Sequence, residues 1–124
     1  FSLYYAALIA QDRCVCALRA VFDGVEAGGL GRAHNARLVI DYVTTDLKER
    51  GKGLASQLVD FVVQASAMCG ANTYVLATED SCVYWMGKGF VLEQQETLNA
   101  RLNIFPDTHL LRRAADPPDA GSDD

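Results

Sequence analysis

The sequence is poor in proline, with three, has one tryptophan and two histidines, and lacks any apolar run long enough to cross a bilayer as a helix. Spanning hydrocarbon takes about twenty consecutive apolar residues, and the runs here are broken within about ten. Membrane partners are therefore not expected. Basic residues are also outnumbered: 11 Lys and Arg face 16 Asp and Glu, a net charge of −5. General nucleic-acid affinity draws on clustered cations, so a nucleic-acid partner is not expected either. The four cysteines, Cys14, Cys16, Cys69 and Cys82, form no C-x-x-C pair and have no histidine at ligand spacing, which argues against a metal site. Cys14 and Cys16 lie two apart, share one face of a strand and read as reduced buried thiols. That points to an intracellular compartment, cytoplasm or nucleus. A basic lead and a small-residue cleavage site are missing at the start, where Phe1 enters strand-like sequence directly. The absent initiator Met reads as a trimmed fragment.

What is there is an ordinary globular composition: 124 residues, 50% hydrophobic and 22% charged, one domain by size with a modest core. That domain is expected over residues 1–113, and residues 114–124 read as a disordered acidic tail. Four acids, Asp116, Asp119, Asp123 and Asp124, lie in that tail, so the rest balances 11 basic against 12 acidic residues.

Hydrophobic period gives the elements in order. Residues 3–9 are aromatic and apolar enough for a strand, and Gln11-Asp12-Arg13 makes a turn. In residues 14–22 the even positions Cys14, Cys16, Leu18, Ala20 and Phe22 form an apolar face, giving an antiparallel hairpin. Residues 23–35, with four glycines, read as a flexible connection. Residues 36–45 form a third strand with Leu38, Ile40 and Tyr42 on one face and Arg37, Val39, Asp41 and Val43 on the other. Asp41 is either a solvated edge carboxylate or one facing a substrate cleft.

From Gly53 the period lengthens to that of a helix, with Leu54, Leu58, Phe61, Val62, Ala65, Met68 and Cys69 on the buried stripe. Met68 and Cys69 read as core, and Gly70-Ala71-Asn72 ends the helix. Residues 73–78 form a strand parallel to the third, because a strand–helix–strand crossover demands it. Glu79-Asp80-Ser81 offers caps for a short helix over 82–88. Residues 90–98 read as a strand and 108–113 as its partner. The expected order is β-β-β-α-β-α-β-β, an α/β mixed sheet with a parallel pair in its middle.

The stretch from Tyr42 to Leu58 carries the chemistry. Arg50-Gly51-Lys52-Gly53-Leu54-Ala55 sits where a strand ends and a helix begins, so unpaired N–H groups and the positive end of the helix dipole converge on one point with basic side chains. That is a seat for an anion. It is not a P-loop, since Lys52 is followed by Gly53 and not by Ser or Thr, and Ser56 replaces the third glycine of a dinucleotide fingerprint.

Arg50-x-x-Gly53-x-Ala55, placed between Val43-Thr44-Thr45 and an amphipathic helix, resembles the acetyl-CoA-binding motif of the GNAT N-acetyltransferase superfamily. A second stretch, residues 81–90, resembles that family's helix of two aromatics, three residues and Gly-Phe, here Tyr84, Trp85, Gly89 and Phe90. The resemblance spans roughly residues 3–113 and implies the GNAT acyl-CoA N-acyltransferase fold, lacking the usual N-terminal strand and helices. It implies that the parallel strands splay past Thr44 and that acetyl-CoA lays its pantetheine arm along Val43, Thr44 and Thr45. Arg50, Gly51, Lys52, Gly53, Leu54 and Ala55 would hold the pyrophosphate, and Ser81, Tyr84 and Trp85 would line the distal arm and the sulfur.

The implied reaction is direct attack of a primary amine, on a small molecule or a protein, on the thioester in a ternary complex. Asp41 is the first candidate for the base and Glu79 the second, with the N–H near Val43 as donor to the oxyanion. Tyr84 is the candidate acid for the departing thiolate, because Trp85 stands where the family often has tyrosine. Terminal strands that often form dimer contacts in the family leave the oligomeric state open, with a homodimer as one option. The rival reading is a non-catalytic CoA-binding or protein-interaction module.

Overall fold

The structure is a computed structural model that describes residues 2–23, 36–103 and 105–115. Strands β1 (Ser2–Ala10) and β2 (Arg13–Asp23) form an antiparallel hairpin, joined through Gln11 and Asp12, both at positive φ (51° and 62°). Two such residues in succession give the turn whose twist matches that of the strands. Strand β3 (Arg37–Thr45) pairs antiparallel with β2 and leads to helix α1 (Leu54–Met68). Strand β4 (Asn72–Thr78), the short helix α2 (Cys82–Gly87), strand β5 (Val91–Leu92), helix α3 (Glu96–Leu102) and strand β6 (Thr108–Arg113) complete the order. One six-stranded sheet results, β1-β2-β3-β4-β6-β5, in which β3 and β4 are parallel. Residues 24–35, all but the first residue of the expected connection, and residues 116–124 of the expected tail lie outside the described residues. Ala115 is described, and its N–H donates to Asn72 Oδ1 at 2.9 Å.

Helices α1 and α2 cover one face of the sheet, where Ile40, Val59, Val75, Trp85, Phe90 and Leu111 form the main core. Helix α3 covers part of the other face through Leu98, against Val39, Tyr74 and Leu110.

Two strand irregularities correct the alternation expected from sequence. Leu8 pairs with Cys16 and Ile9 with Cys14, which leaves Val15 as an extra residue. This bulge turns Val15 inward, so Cys16 is buried while Cys14, expected beside it, is exposed. In the second, Arg19 pairs with Tyr42 and Ala20 with Ile40, which leaves Asp41 as the extra residue. Val43 therefore packs against the same core as Leu38 and Ile40, and Tyr42, expected with them, is exposed. A bulge reverses the inside–outside phase of the residues beyond it and bends the strand.

Two further expectations are corrected. The stripe of α1 is rotated: Leu58, Val59, Val62, Val63 and Ser66 are buried, whereas Phe61 is 64% and Met68 84% exposed and Cys69 is exposed as well. Small Val59 and Val63 let the helix lie close to the sheet, and Phe61 overhangs the side of β1, lining a groove with Tyr4 and Phe22. The strand expected over 90–98 is two residues long and gives way to α3. Gln94 to Leu102 contains no β-branched residue except Thr97, places Leu98 and Leu102 four apart, and has Asn99 Nδ2 donating back to the carbonyls of Glu93 and Gln95 (2.8 and 3.2 Å). Helix propensity and a local hydrogen-bonded start together outweigh pairing there. The order is thus β-β-β-α-β-α-β-α-β.

Candidate acyl-CoA site

The parallel pairing of β3 with β4 covers only Arg37–Ile40 against Asn72–Val75. Beyond it β3 keeps β2 as its partner and β4 keeps β6. The split therefore opens at Asp41, earlier than the point past Thr44 that the resemblance implied, because the bulge at Asp41 turns β3 away. Backbone groups along the split face a cavity of about 540 Å³, of the size that takes a small-molecule ligand.

Val43, Thr44 and Thr45 form one wall of the cavity, and Leu76 and Thr78 of β4 the other. Arg50, Gly51, Gly53, Leu54 and Ala55 close the end at the start of α1, while Ser81, Tyr84 and Trp85 close it from α2. Those sequence-predicted residues meet in one place, as does Asp41. Lys52 and Glu79 are not among the residues lining it.

At the anion seat a 3-10 turn, Leu47–Glu49, precedes Arg50. Gly51 and Gly53 have φ of 84° and 77°, and Gly53 caps α1, its carbonyl accepting from Gln57 N–H at 3.1 Å. A Cβ at either glycine would meet nothing within 4 Å, so the left-handed backbone is what calls for glycine here. The N–H groups of the first turn of α1 have no partner within the helix and point out of its start.

Both acids beside this seat are paired. Arg13 Nη1 donates to Asp46 Oδ2 at 2.6 Å and Nη2 to Glu49 Oε2 at 3.0 Å, while Lys52 Nζ reaches Glu49 Oε1 at 2.9 Å. The hydrogen bond from Arg13 holds the Asp46 carboxyl below its usual range, and that from Lys52 does the same for Glu49. The Asp46 hydrogen bond in turn raises Arg13. Arg50 Nε donates to Thr45 O at 3.3 Å.

Of the two candidate bases, Asp41 is the one in the cavity wall. Its side chain is 13% exposed and its Oδ1 accepts from Arg19 Nε at 2.9 Å, which raises the arginine. Glu79 stands on the turn after β4, bonded to His109 Nε2 at 2.7 Å and largely exposed. Tyr84 turns its hydroxyl to Ser56 Oγ of α1, 2.8 Å away. Trp85 is buried, edge-on to Phe90 with ring centroids 5.4 Å apart. Burial raises the thiol of Cys82, and its side chain packs against the core.

Sequence reasoning missed Arg13, Arg19, Ser56 and His109. Each becomes relevant through a partner at least 22 residues away in the chain, so no local pattern announces it. Among the described residues no three His, Cys, Asp or Glu are grouped to hold a metal, and no helix is long and apolar enough to cross a membrane.

No protein-family model matches the chain, and no curated protein does. Solved structures do. Naa50 of Arabidopsis thaliana, in complex with the bisubstrate analogue CoA-Ac-MVNAL, is 20% identical with a TM-score of 0.67, over 89% of this chain and 72% of that one. An acyl-CoA N-acyltransferase from Pseudomonas aeruginosa is 23% identical with a TM-score of 0.65, over 90% and 68%. Tetrahymena GCN5 is 11% identical with a TM-score of 0.69, over 93% and 69%. At such identities the likeness is one of fold, and it agrees with a sheet that splits between parallel strands at the start of a glycine-capped helix: the chain has the fold of the GNAT acyl-CoA N-acyltransferases.

Proposed function

We propose that the protein transfers an acetyl group from acetyl-CoA to a primary amine in a ternary complex. One observation carries this reading: the unpaired backbone of the split runs straight into the helix start that Gly51 and Gly53 open. An extended amide-bearing chain that ends in a pyrophosphate satisfies both at once, and pantetheine joined to its nucleotide has that form. The fold shared with Naa50, whose structure holds a CoA-peptide bisubstrate analogue, supports the same co-substrate.

In this reading the pyrophosphate accepts from the N–H groups at the start of α1, and the pantetheine arm pairs with Val43–Thr45. The amine must lose a proton to attack, because an alkyl ammonium has a pKa of about 10.4. Asp41 takes it through Oδ2, with Oδ1 held by Arg19. The C–N bond forms, the Val43 N–H donates to the oxyanion, and the C–S bond breaks as Tyr84 gives its proton to the leaving thiolate. The second proton of the now cationic nitrogen restores the Tyr84 phenol, and Asp41 releases the first to solvent. The products are the N-acetyl amide and free CoA. The acceptor class is a primary amine on a small molecule or on a protein.

The engagement of Asp41 with Arg19 favours a second reading, a CoA-binding module without turnover. The two separate on release of free thiol from acetyl-CoA in the presence of polyamines, amino sugars, lysine peptides and peptide N-termini. Thiol release with one of these supports the transferase. CoA binding without release from any of them supports the module. Arg50→Glu is expected to weaken CoA at least tenfold under either reading, and unchanged affinity would remove the pyrophosphate from this loop.

A further inference from the structure

We propose that Arg13, which lies on β2 outside both sequence motifs, is the positioning residue of the anion seat and the counter-charge that lets this loop accept a polyanion. The inference rests on the reading of the loop as the pyrophosphate site. Segment 46–53 holds two acids, Asp46 and Glu49, against three bases, Lys48, Arg50 and Lys52. Both acids lie in the turn that leads into the glycines, Glu49 two and Asp46 five residues before Gly51, where bare carboxylates would repel a phosphate. Glu49 also takes up Lys52, one of the three cations of the segment. Arg13 meets both acids at once, one through each terminal nitrogen. Its planar fork is suited to such a bridge, whereas a lysine offers a single point charge. With Arg13 the cluster carries a net charge of +2, and without it +1.

The loop has its own tether to β2, since Asp46 N–H donates to Val15 O at 2.8 Å. Two further backbone features, the Glu49 N–H to Asp46 O bond at 2.8 Å and the α1 cap, hold it independently of Arg13. Loss of the guanidinium therefore changes the field at the seat and the set of the two carboxylates, without removing the main-chain attachment.

The experiment is a titration of the protein with CoA, at low ionic strength and at 0.5 M salt, for the parent, Arg13→Gln, and the triple variant Arg13→Gln/Asp46→Asn/Glu49→Gln. A unit charge about 10 Å from a doubly charged group in a water-like dielectric is worth about fourfold in affinity. Arg13→Gln is expected to weaken CoA by about that factor at low salt and by much less at 0.5 M, where the Debye length falls below 5 Å or so. The triple variant, whose cluster keeps Lys48, Arg50 and Lys52 at a net +3 against the parent's +2, is expected to bind at least as tightly as the parent, because it removes the repulsion together with its counter-charge. A role confined to bracing the loop predicts the opposite, since the triple variant has lost every partner. Parent-like binding by Arg13→Gln, or a triple variant no better than Arg13→Gln, overturns the proposal and leaves the CoA site standing. A parent that binds no CoA overturns the reading of the loop as well.

Discussion

At the scale of single residues, Tyr84 is where role and position diverge most. Trp85 carries an indole, with no acidic proton to give a thiolate, and is buried in the core against Phe90. Tyr84, one position earlier, is turned about 100° around the helix, and its hydroxyl meets Ser56 across the cavity. Between two hydroxyls only one proton lies in the shared bond, which leaves a second free to be given to a leaving group. Tyr84→Phe keeps the ring and its edge-on contact with Trp85, and loses one exposed hydrogen bond worth about 1 kcal/mol or less. If Tyr84 protonates the thiolate, kcat is expected to fall by about 100-fold with the KM for acetyl-CoA within a few-fold of the parent. Steady-state kinetics on a working amine checks this; a kcat within about threefold of the parent would reduce Tyr84 to a wall of the cavity.

At the scale of elements, the helix α1 separates what can be read from sequence from what cannot. Its existence, its glycine start and its end near Gly70 are local properties, fixed by period and by φ, and they were legible. So were the crossover from β3 through α1 to β4 and the meeting of Arg50, Gly53 and Ala55 with Tyr84 at one cavity. The phase of α1 was not, because an apolar stripe wide enough to include both Phe61 and Val59 does not say which side meets the sheet. The bulges at Val15 and Asp41 were illegible for a related reason: an extra residue in one strand is defined only by its partner, and strict alternation assumes there is none. The structure's choice can be tested by an unusual ranking. Val59, with no exposed surface, is expected to cost about 2 kcal/mol on truncation to alanine. Phe61, a far larger side chain but mostly exposed, is expected to cost less than about 1 kcal/mol. Urea unfolding of the two variants gives the order directly, and a Phe61→Ala cost above that of Val59→Ala would mean that α1 is rotated from the position described.

At the scale of the whole molecule, the sheet consists of two antiparallel parts, β1-β2-β3 and β4-β6-β5, joined along four paired residues of β3 and β4. Helix α1 and the core beneath it also hold the parts together, but the far half of the seam is open. A ligand that lies in the split touches both parts and has no counterpart site once they come apart, so binding should stabilise the fold by mass action. At a free CoA concentration 100 times its Kd the gain is about 2.7 kcal/mol, which for a domain of this size corresponds to a rise in Tm of about 10 °C or more. The seam also dictates where amide exchange should slow: residues 41–45 and 76–78, whose backbone borders the split, and the first turn of α1. Desulfo-CoA, which keeps the arm and the pyrophosphate but cannot react, serves for both measurements. A rise in Tm without protection along 41–45 would place the ligand outside the split, and protection of the α1 start alone would leave a phosphate site with no strand-like arm. Slowing in all three segments together is the result that requires one extended ligand to close the gap between the two halves of the sheet.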